Sequence, residues 1–147
     1  MKKILIALLA ATVLWQVTAA EAIWLTDLPK AQAQAKAENK IVLLDFTGSD
    51  WCGWCIKFKK DVLDTPEFQA YAAKNAVLVE LDFPRKKAQP DNLRKANAEL
   101  SKRYKANGFP TLVVLNKDGK EIGRQEGYSE GGPAAFIAKL EKFKGKK

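Results

Sequence analysis

Histidine is missing from this chain, and cysteine occurs only twice. The first absence removes the side chain that most often serves as general base or metal ligand near neutral pH. Together the two shortages argue against a closed structural zinc site within one chain, because a single C-x-x-C supplies only half of the four Cys/His donors such a site uses. Long apolar runs are scarce as well. The one near the start, Ile4 to Leu14, is broken at Gln16 and falls well short of the ~20 apolar residues needed to cross a bilayer. Basic residues outnumber acidic ones, 25 to 17, but they are spread over Lys57 to Lys60, Arg85 to Lys87, Lys102 to Lys105 and the tail from Lys142. They lack the aromatic interleaving of a nucleic-acid platform, so no nucleic-acid partner is expected. Solvated faces account for them, with attraction to acidic proteins or an anionic surface as a further consequence of the net charge of +8.

The remaining composition suits one folded domain: 147 residues, 47% hydrophobic and 10% aromatic, with no internal repeat. The start is set apart from that domain. Lys2 and Lys3 precede the apolar run, and a small-residue stretch ends at Thr18-Ala19-Ala20, which is the pattern of a cleavable secretory signal. Cleavage after Ala20 is expected, giving a signal over 1–20 and a domain over 21–147. Export would place the chain where disulfides persist, since the cytosol keeps thiols reduced.

All the sulfur chemistry lies in Trp51-Cys52-Gly53-Trp54-Cys55. Two intervening residues let both thiols face one way on a first helical turn, close enough to bridge with little backbone movement. At a helix start, free backbone N–H groups and the positive dipole end favour the Cys52 thiolate, the species that attacks disulfides. Cys55, one turn further in, is the less exposed candidate to resolve the product. A static staple is the competing reading, but a loop this small removes little entropy from the unfolded chain. Neither metal nor dissociable cofactor is implied.

Around this pair the chain alternates. Ile23 to Leu25 reads as a short strand, and Asp27 with Pro29 as the cap and first turn of a helix to Glu38. Ile41 to Phe46 reads as a strand buried on both faces, with Asp45 the polar exception. Gly48 and Ser49 turn the chain into a helix from Cys52 to Leu63, with Phe58 and Val62 inward. Thr65-Pro66 restarts a helix, and Ala76 to Phe83 reads as a second buried strand that Pro84 ends. A helix over Asn92 to Lys105 is expected to pack the stripe Leu93, Ala96, Leu100 and Tyr104. Thr111 to Leu115 and Lys120 to Glu126 form a hairpin about Asn116 to Gly119, and Pro133 opens a last helix with Phe136, Ile137, Leu140 and Phe143 on one face. Such an order predicts an α/β domain, a central mixed β-sheet sandwiched by helices.

Three segments in succession, Val42-Leu43-Leu44-Asp45-Phe46, Trp51-Cys52-Gly53-Trp54-Cys55 and Gly108-Phe109-Pro110-Thr111, resemble the thioredoxin superfamily over about Ile23 to Lys144. Within it the Thr47-Gly48-Ser49-Asp50-Trp51-Cys52 lead-in is most similar to exported thioredoxin-like proteins and to the carboxy-terminal domain of the membrane thiol:disulfide interchange protein. The resemblance implies a thioredoxin fold and a thiol:disulfide oxidoreductase of reductase or isomerase type. Its partners would be exported protein disulfides and thiols, plus an upstream electron donor such as a membrane thiol:disulfide interchange protein. It implies Cys52 as attacking thiol, Cys55 as resolving thiol and Asp45 as buried acid, with substrate held by Trp51, Gly53, Trp54, Phe109 and a cis Pro110. The alternative is a partner-binding module of the same fold whose disulfide is static. The chain departs from the family in three ways. Asp45 lies seven residues before Cys52, one more than the family spacing. Glu80 stands where a lysine is expected, which would bring two carboxylates near the thiols. Trp54, inside the motif, supplies no positive charge, so a reducing or intermediate potential is expected.

Overall fold

A computed structural model describes residues 21–145. The expected signal segment lies outside the described residues. Five strands, β1 (Trp24–Leu25), β2 (Ile41–Thr47), β3 (Ala76–Asp82), β4 (Thr111–Leu115) and β5 (Glu121–Glu126), form one sheet in the order β1-β3-β2-β4-β5. The first three run parallel, and β4 and β5 are antiparallel additions, so the sheet is mixed as expected. Helices α1 (Leu28–Glu38) and α4 (Asp91–Arg103) cover one face. Helices α2 (Gly53–Phe58), α3 (Pro66–Asn75) and α5 (Gly132–Lys144) cover the other.

Local chemistry accounts for the boundaries. The Asp27 carboxylate accepts the Lys30 N–H at 2.9 Å at the start of α1, and Asn39 ends that helix in the left-handed region. Thr65 caps α3 in the same manner, with Pro66 in the first turn. The helix that begins at Gly53 does reach Leu63, but its last segment, Lys59–Leu63, widens into a π-turn. That added residue per turn brings Val62 and Leu63 into the core together.

β2 is buried along its whole length, and its alternation sorts the core into two layers. Val42, Leu44 and Phe46 pack with Leu28, Ala31 and Ala35 of α1. Ile41 and Leu43 face the opposite way, toward Phe58, Val62, Phe68 and Phe136. Phe58 and Phe136 meet edge to face with centroids 5.1 Å apart, and burying rings of this size contributes about 1.5–3 kcal/mol each. By the same alternation Asp45 and Thr47 project to the face covered by α2.

The expected stripe on α4 requires correction. Leu100 and Tyr104 do pack on the sheet, but Ala96 is exposed and Asn97 is buried in its place. The Asn97 side-chain amide donates to the Asp82 carbonyl at 2.9 Å, where the β3 ladder ends. A core position held by a hydrogen bond is invisible to a search for apolar spacing.

Candidate active site

Cys52 is the N-cap of α2, and Cys55 sits in its first turn. The two are joined by a disulfide with Cα atoms 5.2 Å apart. The Cys55 backbone N–H donates to the Cys52 sulfur at 3.2 Å, so a helix-start donor already points at the atom that would carry negative charge. Cys52 is 7% exposed and Cys55 3%, so both are buried in the disulfide form and Cys55 slightly more so.

The lead-in to Cys52 is built as a clamp. Backbone N–H groups of Cys52 and Trp51 return to the Gly48 carbonyl, closing the turn. Ser49 donates through both its backbone N–H and its hydroxyl to the Asp82 carboxylate. Asp50 accepts three backbone N–H groups, from Arg85 at 3.0 Å and from Lys86 and Lys87 at 2.8 Å. Those bonds hold the Asp50 carboxyl down at about 2. Trp51 donates its indole N–H to the Phe83 carbonyl at 2.8 Å, and its ring lies so close over Gly48 that a Cβ there would fall 2.5 Å from the ring.

The residues expected to hold substrate surround the sulfurs unevenly. Trp51 meets Phe109 edge to face, centroids 5.8 Å apart, and Phe109 stacks on Phe83. The Phe109–Pro110 peptide is cis, and the Pro110 carbonyl accepts the Gly127 N–H at 2.8 Å. Gly53 is exposed with open space where a side chain would begin. Trp54 is 59% exposed and Ile56 49%, an apolar lip beside the disulfide. The Trp54 ring lies tilted by 33° against Tyr128, whose hydroxyl donates to Asp61. Trp51, Phe109 and Pro110 therefore form one wall, whereas Trp54 is tied to a separate cluster on the far side.

Beneath Cys55 a cleft of about 190 Å³ is lined by Thr47, Ser49, Cys55, Ile56, Lys59, Lys60, Asp64 and Glu80. Asp45 lies on the same sheet face as Thr47 and directly opposite Glu80 in the β2–β3 register. It is 6% exposed, and its Oδ1 has no hydrogen-bond partner. Desolvation pushes its carboxyl up to about 7; Glu80 and Asp82 add to the rise, and Lys59 opposes it. Glu80 is itself raised, by burial first and then by Asp82, against the pull of Lys59 and Lys87. The two-carboxylate expectation for Glu80 is thus met. What sequence reasoning missed is the compensating cation. Lys59 belongs to a run of lysines that solvated faces would explain, yet it follows Cys55 by four residues on one helix and so shares its face, a spacing that could have found it. It also pairs with Asp64. Among the described residues no cluster of three or more His, Cys, Asp or Glu side chains is arranged to hold a metal ion.

A sheet of this order, a disulfide capping the helix after its central strand and a cis-proline loop beside it define the thioredoxin fold, furnished as in a thiol:disulfide oxidoreductase. The chain belongs to the thioredoxin-like domain family, whose pattern it matches over residues 28–144. It is 42% identical over 111 residues to the disulfide bond reductase DsbH of Chlamydia pneumoniae, covering 76% of this chain and 66% of that protein. It is 37% identical over 106 residues to the thiol:disulfide interchange protein DsbD of Cronobacter sakazakii, covering 71% of this chain but 17% of that one. Among solved structures, a DsbH oxidoreductase superposes with a TM-score of 0.82 at 37% identity, over 90% of both chains. A disulphide isomerase from Xylella fastidiosa Temecula1 gives 0.60 at 31% identity, over 77% of this chain and 87% of that one.

Proposed function

We propose that this protein is an exported thiol:disulfide oxidoreductase that reduces or isomerises disulfides of exported proteins. The observation that carries the reading is the Cys55 N–H bonded to the Cys52 sulfur at the start of α2, with Cys55 buried behind it. In the reduced protein the Cys52 thiolate attacks one sulfur of a substrate disulfide. A Cys52–substrate bond forms, the substrate S–S bond breaks, and the departing sulfur takes a proton. Cys55 then loses its proton and attacks the Cys52 sulfur, which closes the intramolecular disulfide and releases the second substrate thiol. Two electrons have passed to the substrate.

Asp45, with a carboxyl at about 7 on the face below Cys55, is suited to take the Cys55 proton in that second step. Trp51, Gly53, Trp54, Phe109 and Pro110 would hold the substrate chain, in part by strand addition along the Phe109 backbone. Resetting the disulfide calls for an upstream dithiol donor, of the kind a membrane thiol:disulfide interchange protein provides. Export rests on the lysine-led apolar run before Ala20. The name of DsbH, a disulfide bond reductase, supports the reductive direction.

The test is turnover. The reduced protein, freed of excess reductant, should reduce a protein disulfide stoichiometrically and, with dithiothreitol resupplied, catalytically. Equal rates with wild type and with Cys52→Ser would remove the catalytic reading and leave a partner-binding module with a static disulfide.

A further inference from the structure

We propose that the loop Arg85-Lys86-Lys87 is a cationic rim of the active site, selecting disulfides that carry acidic side chains beside the half-cystine. The inference rests on the oxidoreductase reading and names its substrate class. All three side chains are exposed at the end of β3, where Pro84 turns the chain outward. A loop of three like charges would ordinarily be mobile and self-repelling, but here its backbone is tied down. Three successive N–H groups donate to Asp50, two residues before Cys52. The loop's position is therefore set relative to the disulfide.

The rim is also continuous with the wall that would hold substrate. The Arg85 guanidinium lies 3.6 Å over the Trp51 ring, and Trp51 in turn meets Phe109, the residue before Pro110. A chain laid along Phe109 toward Cys52 would pass beside these cations. Nearby acids offset them only in part: Asp50 accepts the backbone N–H groups, stays anionic and attracts Lys87, while Asp82 accepts from Ser49. Lys87 donates to the Ser49 hydroxyl at 3.2 Å, while Arg85 and Lys86 make no ion pair among the described residues. On the helix side, Lys57 is matched by Asp61 and Lys59 by Asp64. Lys60, in the cleft below Cys55, also makes no ion pair among the described residues, so unpaired cations flank the sulfurs on both sides, and those on the Trp51 side sit on a loop whose backbone Asp50 holds in place. Such a field speeds encounter with an acidic partner and is screened by salt.

The experiment compares three substrates for the reduced wild-type protein: two versions of one disulfide peptide, with glutamates or with lysines flanking the half-cystine, and uncharged bis(2-hydroxyethyl) disulfide. At low salt the acidic peptide should exceed the basic one in kcat/KM by about tenfold, mostly through KM, and the gap should shrink at high salt. Arg85→Glu and Lys86→Glu should each cut the acid-to-base ratio by about three- to tenfold. Lys86 takes no part in the Trp51 stack, so its variant decides the matter even if Arg85→Glu misfolds. Equal kcat/KM for the two peptides, with the uncharged disulfide still reduced, would overturn the rim while leaving the oxidoreductase standing. Failure to reduce the uncharged disulfide would sink the oxidoreductase reading and this proposal with it. Equal peptide rates with Lys86-dependent sedimentation on phosphatidylglycerol vesicles would reassign the loop to a membrane surface.

Discussion

Asp45 and Glu80 stand side by side across the two central parallel strands, both facing the layer that contains Cys55. Burial first, and then the charge of Glu80 beside it, disfavours ionisation of Asp45, which keeps its proton up to about 7. An unfolded aspartate titrates near ~3.9. Between those values the native state binds the extra proton, so stability falls as pH rises from about 4 through about 7, with a slope of up to ~1.4 kcal/mol per pH unit, and levels off above. Asp45→Asn should flatten that slope in denaturant titrations run across this range. It should also slow disulfide turnover at neutral pH without lowering the melting temperature, because a costly buried carboxylate is removed. A lower melting temperature with unchanged turnover would mean that Asp45 is only a structural hydrogen-bonding group.

Lys59 pulls the other way on both carboxyls. Replacing it with methionine keeps most of the length of the side chain and removes the charge. The acid limb of the rate profile should then move to higher pH, because Asp45 would hold its proton longer. A pH series of kcat/KM for Lys59→Met reads this directly, and a superimposable profile would remove Lys59 from the site.

The two sulfurs should behave unequally when separated. Cys55→Ser keeps the attacking thiol and loses its resolver, so it should accumulate covalent adducts with exported proteins. Cys52→Ser should accumulate none. Non-reducing gels of both variants decide it, and equal trapping by both, or by neither, would sink the assignment of roles.

Gly48 should tolerate no side chain. A methyl group there would sit 2.5–2.8 Å from three atoms of the Trp51 indole, so the ring must leave its place under Arg85. Overpacking of this kind costs about 1–3 kcal/mol. Gly48→Ala should therefore lower the melting temperature and change the tryptophan fluorescence, and peptide reduction should weaken with it. A variant with the wild-type emission spectrum would show that the turn has room to spare.

Much of this molecule was legible in the chain itself. The strands β2, β3 and β4 and the caps at Asp27 and Thr65 follow from apolar runs and local hydrogen-bonding chemistry, which act over a few residues and leave their mark on spacing. The Cys52–Cys55 pair was legible for the same reason, since both sulfurs lie on one helical turn. What spacing could not reveal were pairings between segments far apart. The Asp50 clamp on Arg85 to Lys87, Arg85 over Trp51, and Asn97 taking a core position each join residues from separate elements. Such contacts depend on how β3 lies against β2 and on where each loop leaves the sheet. The Asp45–Glu80 pair shows the division most plainly. Asp45 was visible as a polar interruption of an apolar strand and Glu80 as a departure from the family's lysine, but only the parallel register set them opposite one another, and burial raised Asp45 to a value useful near neutral pH.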